Sequence, residues 1–329
     1  MDDFRLPLIA APLAAGAASL ALLPLLIRAR ALPDQPNERS LHSAPVPRSG
    51  GVAIMLPVLV SGWLAAPELR LALACALLLA LMSFLDDLRP ISPALRLLVH
   101  VLAAAVLIFA GFSHWPLILA LCVVVATVWL TNLYNFMDGS DGLAGGMSAF
   151  GFACYAIIAA MQGHTALTIV SASIAMCAMA FLLFNFHPAR IFMGDTGSIP
   201  LGFLAAAVGV TGWDQGLWPA YVPVLIFSPF IVDATMTLMH RLANKEKVWV
   251  AHRNHYYQRL VRMGMGHRST ALAEYALMAA AAGSAIAMTQ ISVGFRIALL
   301  SIWIMAYVVL AMAIDHRWRH HQERVHGSV

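Results

Sequence analysis

Charge is what this sequence has least of. Only 11% of its 329 residues are Asp, Glu, Lys or Arg, against about 25% in a soluble domain. Hydrophobic residues make up 61%, an excess that one water-soluble core of this size cannot hide. A soluble enzyme or binding module is therefore excluded. Cysteine is scarce too: Cys75, Cys122, Cys154 and Cys177 stand singly in apolar runs, with no CxxC spacing. That argues against disulfides and zinc and in favour of small core residues. No internal repeat and no soluble domain interrupts the chain, so residues 1–329 read as one integral membrane domain. The net charge of +4 needs no nucleic acid, because anionic lipid head groups suffice to explain it.

What the chain does have is a succession of apolar runs, and a bilayer span needs about 20 such residues. The runs predict eleven transmembrane helices, at 6–27, 51–66, 70–85, 95–112, 117–134, 143–161, 165–184, 197–211, 217–239, 271–290 and 294–314. The fold class is thus an all-α polytopic membrane protein. The first run follows the net-negative MDDFR and exceeds a signal peptide's apolar core of about 7–15 residues, so an uncleaved helix is expected. Of the 20 Lys and Arg, 17 lie in the loops after odd-numbered spans, at their edge (Arg96, at the start of the fourth span) or in the C-terminal tail. Arg5, Arg70 and Arg296 fall on the other side. Basic residues accumulate on the cytoplasmic side, which predicts the N-terminus outside and the C-terminus inside. The cytoplasmic loops are then about 28–50, 86–94, 135–142, 185–196 and 240–270, with the tail at 315–329.

Five polar features collect at or near the ends of odd-numbered spans. They are LHSAPVPRSGG (Leu41–Gly51), Asp86-Asp87, NLYNFMDGSDGLAGG (Asn132–Gly146), FNFHPARIFMGDTGS (Phe184–Ser198) and AHRNHYYQRL (Ala251–Leu260). The span count sends all five to one face. Asp86-Asp87 also makes a good membrane stop, and neighbours on a helix point about 100° apart, so the two cannot address one point identically. Asn132, Asn135, Asp138 and Asp141 recur every third residue, which leaves successive members about 60° out of line on a helix. Gly139 and Gly142 suggest that the helix ends near Asp138. Ser140 or Asp141 could then cap the sixth span, a role that does not account for Asn132, Asn135 and Asp138. Thr196 or Ser198 would cap the eighth, leaving Asp195 free. His252 and His255 lie in a basic, aromatic loop and suit phosphate or plain solvation, while His187 reads as a boundary residue.

Several carboxylates, with histidines only in separate loops, point to a hard oxygen-loving cation, Mg²⁺ or alternatively Mn²⁺. Arginines, histidines and short Gly-containing loops nearby suit a diphosphate. The residues alone therefore favour phosphoryl transfer on a membrane substrate.

FLDD, NLYNFMDGSDGLAGG, FMGDTGS and the His-containing basic loop together resemble the polyprenyl-phosphate N-acetylhexosamine-1-phosphate transferases. The resemblance covers essentially the whole chain, and PVPRSGG resembles that family's first-loop segment ending in Gly-Gly. It implies a bacterial inner-membrane enzyme with a cytoplasmic site. Such an enzyme moves an N-acetylhexosamine 1-phosphate from a UDP-sugar to undecaprenyl phosphate, releases UMP and starts O-antigen or another envelope glycan. By the same resemblance, Asp86 and Asp87 handle the acceptor phosphate. Asn132, Asn135, Asp138 and Asp141 form the nucleotide-sugar and catalytic segment. Asp195, with Asp138 or Asp141 nearby, ligates Mg²⁺. Arg48, Asn185, His252, Arg253 and His255 complete the substrate-binding set, and a homodimer is allowed.

Two departures bear on the sugar. The peptidoglycan enzyme has three consecutive histidines in the last loop where this chain has HRNHYY, and a lysine after its aspartate pair where DDLRP offers Arg89. Both count against the phospho-N-acetylmuramoyl-pentapeptide translocase reaction. HRNHYY also departs from the HxHH of the N-acetylglucosamine members. It more closely resembles glycan-initiating members that use a UDP-N-acetyl-deoxyamino sugar of the fucosamine or quinovosamine type, with UDP-N-acetylglucosamine the other expected donor. Direct attack by the lipid phosphate and a covalent phospho-aspartate both remain open. An aspartate-rich intramembrane prenyltransferase would want two NDxxD-like clusters, and a CDP-alcohol phosphotransferase an arginine after Asp141-Gly142. A transporter would place its carboxylates near the bilayer midplane, and only Asp233 is expected there.

Overall fold

A computed structural model describes residues 5–30, 32–34, 46–247 and 252–326. The chain forms α1 (Arg5–Ala29), α2 (Gly50–Ala65), α3 (Arg70–Leu88), α4 (Pro93–Gly111), α5 (Leu117–Phe136) and α6 (Leu143–Met161). It continues through α7 (Thr165–Asn185), α8 (Asp195–Asp214), α9 (Tyr221–Ile226), α10 (Ser228–Ala243) and α11 (Tyr256–Leu260). A π turn, Val261–Met265, leads into α12 (Gly266–Met288) and α13 (Val293–His326). Among the described residues, extended structure is confined to β1 (Pro33–Asp34) and β2 (Val46–Pro47), an antiparallel pair.

Ten of the eleven expected spans each correspond to one helix. Among the described residues, nine helices are long and apolar enough to cross a bilayer, and the apolar α2 is shorter. The chain is a multi-pass, all-α membrane protein. The expected ninth span, 217–239, is instead two helices, α9 and α10. Pro229 at the start of α10 suits a helix N-terminus but not a helix interior.

Other boundaries move as well. Asp86 and Asp87 lie on the last turn of α3, so the expected loop at 86–94 starts only at Arg89. The expected tail at 315–329 is helical as far as His326. Its last three residues lie outside the described ones, as do Leu41–Pro45 of the first loop and residues 248–251 of the last. Neither Ser140 nor Asp141 caps α6, because Gly142 takes that place with a positive φ of 76°. Thr196 and Ser198 lie inside α8, which begins at Asp195 behind Gly194. In-span carboxylates are not limited to Asp233, since Glu274 sits within α12.

The eighth span, expected to be the shortest, is the axis of the bundle. Its apolar window is 89% buried, whereas that of α13 has no buried residue. Gly and Ala make this central position possible. A Cβ on Gly51 or Gly197 would collide with the backbone of the other, so α2 and α8 cross in direct backbone contact, a packing mode that small residues give membrane helices.

Candidate active site at one end of the bundle

The N-terminus of α8 organises the site. The backbone N–H groups of Gly50 and Gly51 donate to the carbonyls of Phe192 (2.9 Å) and Met193 (2.8 Å), and Phe192 N donates back to Pro47 O (2.7 Å). The segment Val46–Gly51 is thereby laced to the loop before α8. Arg48 is held where its guanidinium meets two carboxylates, Asp87 at 2.6 Å and Asp195 at 3.9 Å.

Asp87, on α3, also accepts from the Thr196 hydroxyl (2.8 Å) and backbone N–H (3.4 Å). Two aspartates therefore crowd one helix N-terminus, where the helix dipole favours negative charge. Asp86 points elsewhere, as adjacent helical positions require. It accepts from Ile91 N (2.6 Å), folding the DDLRP turn, and pairs with Arg96 at 2.7 Å. Arg96 also reaches Asp195 at 3.3 Å. Three carboxylates and two guanidinium groups from α2's approach, α3, α4 and α8 thus share one network.

Asn135, on the last turn of α5, donates to Asp195 Oδ1 and to Ser198 Oγ, both at 2.9 Å. Asn132, one turn earlier, donates to Val128 O in its own helix. Asp138 follows the end of α5, and its side chain has no hydrogen-bond or ion-pair partner among the described residues. Burial raises its carboxyl well above the ordinary carboxylate range; the Asp195 charge adds to this, Arg48 opposes it and Asp87 adds further. A carboxylate in that state accepts a proton or a cation readily.

Asp141 lies in the same loop but faces away from the network. Its Oδ2 accepts from His187 Nδ1 (2.6 Å) and Ala189 N (3.1 Å). The His187 ring stacks on His267 of α12 (5.5 Å), which meets Ser140 Oγ at 2.8 Å. Asn185 is used up between loops: its Oδ1 accepts from Gly142 N and its Nδ2 donates to Ile191 O, both at 2.9 Å. Neither residue contacts the carboxylates around Asp195.

The histidine loop docks beside the end of α5, with the His255 ring 6.4 Å from that of Phe136. Its anchor is Asp233 of α10, which takes His255 Nδ1 (3.1 Å) and Tyr256 N (2.9 Å) on one oxygen and Tyr257 N (2.9 Å) on the other. A carboxylate bound to Nδ1 fixes the imidazole orientation and leaves Nε2 for other partners. Tyr257 is fully buried and donates to Phe136 O at 3.3 Å. Tyr256 donates to Asp315 of α13 at 3.2 Å. The tyrosines that replace expected histidines are therefore packing residues. His252 stacks on His255 at 4.9 Å. Burial, with His255 and Arg241 assisting, lowers the His252 pKa to about 4, so the ring is neutral at neutral pH. Arg253 is half-buried beside it and offers its carbonyl to Arg262 (3.0 Å).

An apolar groove of about 430 Å³ leads toward this end of α5. It runs from the exposed Cys122 and Val224 to the buried Leu133. Leu133 lies two positions before Asn135.

Residues 69–212, which carry the Asp86-Asp87 pair, the Asn132–Asp141 stretch and Asp195, match glycosyl transferase family 4. That central stretch is similar to the family. Over 297 residues the chain is 28% identical to a probable undecaprenyl-phosphate N-acetylglucosaminyl 1-phosphate transferase of Bacillus subtilis, covering 84% of this chain and 83% of the relative. It is 27% identical over 318 residues to the undecaprenyl-phosphate alpha-N-acetylglucosaminyl 1-phosphate transferase of Yersinia pestis, covering 88% and 85%. A phospho-N-acetylmuramoyl-pentapeptide-transferase of Moorella thermoacetica is 34% identical over 200 residues, covering 51% and 61%.

Within this fold, sequence reasoning missed Arg96 and Asp233 as parts of the candidate site. Arg96 was counted only as a topology-setting charge, although a tight turn after Asp86 brings the start of α4 back beside it. Arg89, expected as the substitute for a lysine, is exposed at the end of α3. Asp233 gave no local signal, because its partners in the histidine loop lie more than twenty residues away.

Among the described residues, no three His, Cys, Asp or Glu side chains form a ready-made metal cage. Magnesium does not require one, since it binds through one or two carboxylates plus substrate phosphates. The unpartnered Asp138 and the neighbouring charge of Asp195 fit such a site.

Proposed function

We propose that the protein transfers an N-acetylhexosamine 1-phosphate from a UDP-sugar to undecaprenyl phosphate and releases UMP. The reading is supported by the carboxylate and guanidinium network around the α8 N-terminus, with the unpartnered Asp138 beside it. The apolar groove, which ends near the same residues, suits a polyprenyl chain, and the relatives' names carry the same chemistry.

In this reading an oxygen of the lipid phosphate attacks the β-phosphorus. The bond from that phosphorus to the bridging oxygen breaks, and UMP leaves with the oxygen. Catalysis of this kind is mainly positioning and charge neutralisation. Asp138 and Asp195 would hold Mg²⁺, which when bound supplies positive charge to the diphosphate oxygens. Arg48 and Arg96 add fixed positive charge, while Asp86 and Asp87 hold those two guanidinium groups in place. Asn135 fixes the Asp195 carboxylate. His255, oriented by Asp233, presents Nε2 to the sugar-nucleotide phosphates, with Arg253 nearby. The lipid phosphate, whose second pKa is about 6, needs little help to ionise. The positive-inside count supports a cytoplasmic face for this chemistry, which in a bacterial inner membrane would start an O-antigen or related envelope glycan.

The test is UMP release by purified protein with undecaprenyl phosphate and a panel of donors. UDP-N-acetylglucosamine, UDP-N-acetyl-deoxyamino sugars and UDP-N-acetylmuramoyl-pentapeptide belong in it. Release with one of the first two classes is expected. Release with the pentapeptide alone would move the protein to the peptidoglycan reaction, and no release with any donor would remove the transferase reading.

A further inference from the structure

A second cavity of about 400 Å³ lies among α10, α12 and α13, on the bilayer-facing side of the histidine loop. α13 is tied to the bundle at two levels, by Tyr307 Oη to Ser228 Oγ (2.6 Å) and by Asp315 to Arg259 (2.7 Å). The eight-residue step from Tyr307 to Asp315 spans about 12 Å of helix. Over that length, Leu310 and Ala311 face Ala273, Ala276 and Ala280 of α12 across a gap. The small side chains leave the gap open. Unfilled apolar space forfeits dispersion contacts on every wall, so in a bilayer an acyl chain belongs there.

The polar groups of this cavity are nearly all engaged. Tyr307 is bonded to Ser228, Tyr256 to Asp315, and Asp233 accepts from the histidine loop. Glu274 differs. Its side chain lines the cavity, and it has no hydrogen-bond or ion-pair partner among the described residues. An ionisable group inside a span is costly and marks a site by default. Here the recognition chemistry reduces to one carboxylate on an apolar wall.

We propose that this cavity binds one bilayer lipid bearing a primary ammonium, with its chains between α12 and α13 and its ammonium on Glu274. An –NH₃⁺ group offers charge and three donors to the carboxylate. A choline head group offers charge without N–H, and a glycerol head group adds no cation. The site is separate from the proposed transferase centre and stands whether or not that reading holds. It shares Asp233 and Tyr256 with the brace behind His255, so occupancy stiffens the support of that loop.

Native mass spectrometry of the full-length protein, titrated with phosphatidylethanolamine, phosphatidylcholine and phosphatidylglycerol of identical chains, tests this. Wild type should prefer phosphatidylethanolamine by roughly tenfold, the size of one charge-assisted hydrogen bond. Glu274→Gln should remove the preference while keeping the shape. Ala280→Phe should fill the cavity and lower phosphatidylethanolamine binding with Glu274 intact, which decides the matter if Glu274→Gln does not fold. Equal binding of the three lipids by wild type, or a preference unchanged in either variant, overturns the proposal.

Discussion

Asp138 and Asp141 stand three residues apart in one loop, and the structure gives them opposite surroundings. Asp138 faces the α8 N-terminus, feels the charges of Asp195, Arg48 and Asp87, and lacks a partner of its own. Asp141 turns to the far side of the loop and is saturated by His187 and Ala189. Identical side chains in one short motif thus divide into a carboxylate kept available and one spent on holding two loops together. A motif's spacing assigns a chemistry to a segment, but the loop's path after the helix assigns it to individual residues.

The largest expected effect tests the available side of that comparison. Asp195→Asn and Asp138→Asn should each lower Mg²⁺-dependent UMP release by about 10²–10³-fold, the cost of losing one preorganised electrostatic contact at a reacting centre. The protein should still elute as a folded species in detergent. Wild-type turnover in Asp195→Asn would sink the assignment of the network.

Next comes Asp233→Asn, which should cost about 10–100-fold, as the loss of an orienting second partner typically does. Its signature is a displaced pH–rate profile, because His255 loses the carboxylate on Nδ1, with Asp233→Glu recovering part of the activity. An unchanged profile would make Asp233 merely structural.

Asp141→Ala tests the spent side. It leaves His187 and the Ala189 N–H unsatisfied, so stability should fall by about 1–3 kcal/mol, read as a lower melting temperature in detergent. Turnover of the surviving folded protein should drop far less than in Asp138→Asn. A loss equal to that of Asp138→Asn without destabilisation would erase the distinction between the two aspartates.

The smallest effect belongs to His252. Its neutral ring brings no charge to a phosphate, so His252→Gln should alter KM by no more than about fivefold, the worth of one neutral hydrogen bond near 1 kcal/mol. The folded-state pKa, about 4, lies below the usual 6.5, so the unfolded chain binds the proton more tightly. His252 therefore costs stability as pH falls from 6.5 toward 4, and the variant's stability should fall less steeply across that window. Parallel curves for wild type and variant would show the ring to be charged or solvated in the fold.

Much of this was legible before any coordinates. Periodicity and hydropathy located most of the apolar helices, and the glycines after Asn135 marked where α5 ends. Side-chain bookkeeping failed where partners are distant. The expected caps, Ser140, Asp141, Thr196 and Ser198, were local guesses, and the backbone instead turns at Gly142 and Gly194, both at positive φ. Asn185, His252 and Arg253 were grouped with the substrate set by motif, yet Asn185 is fully engaged within the fold. The break in the ninth span was signalled by Pro229 and passed over, because its flanks are apolar enough to read as one helix.

The sequence by itself determined that the chain crosses a membrane several times and that acidic, amide and histidine motifs recur at the ends of alternate spans. Hydrophobic length and period are properties of contiguous residues, so they survive without a fold. Only the tertiary structure decided that Arg96 joins the network, that Asp233 carries the histidine loop, and that Asp138 is left unpartnered while Asp141 is occupied. Those outcomes depend on which helix ends are brought within hydrogen-bond distance. That is set by the packing of α8 through the middle of the bundle, where Gly51 and Gly197 let two backbones touch.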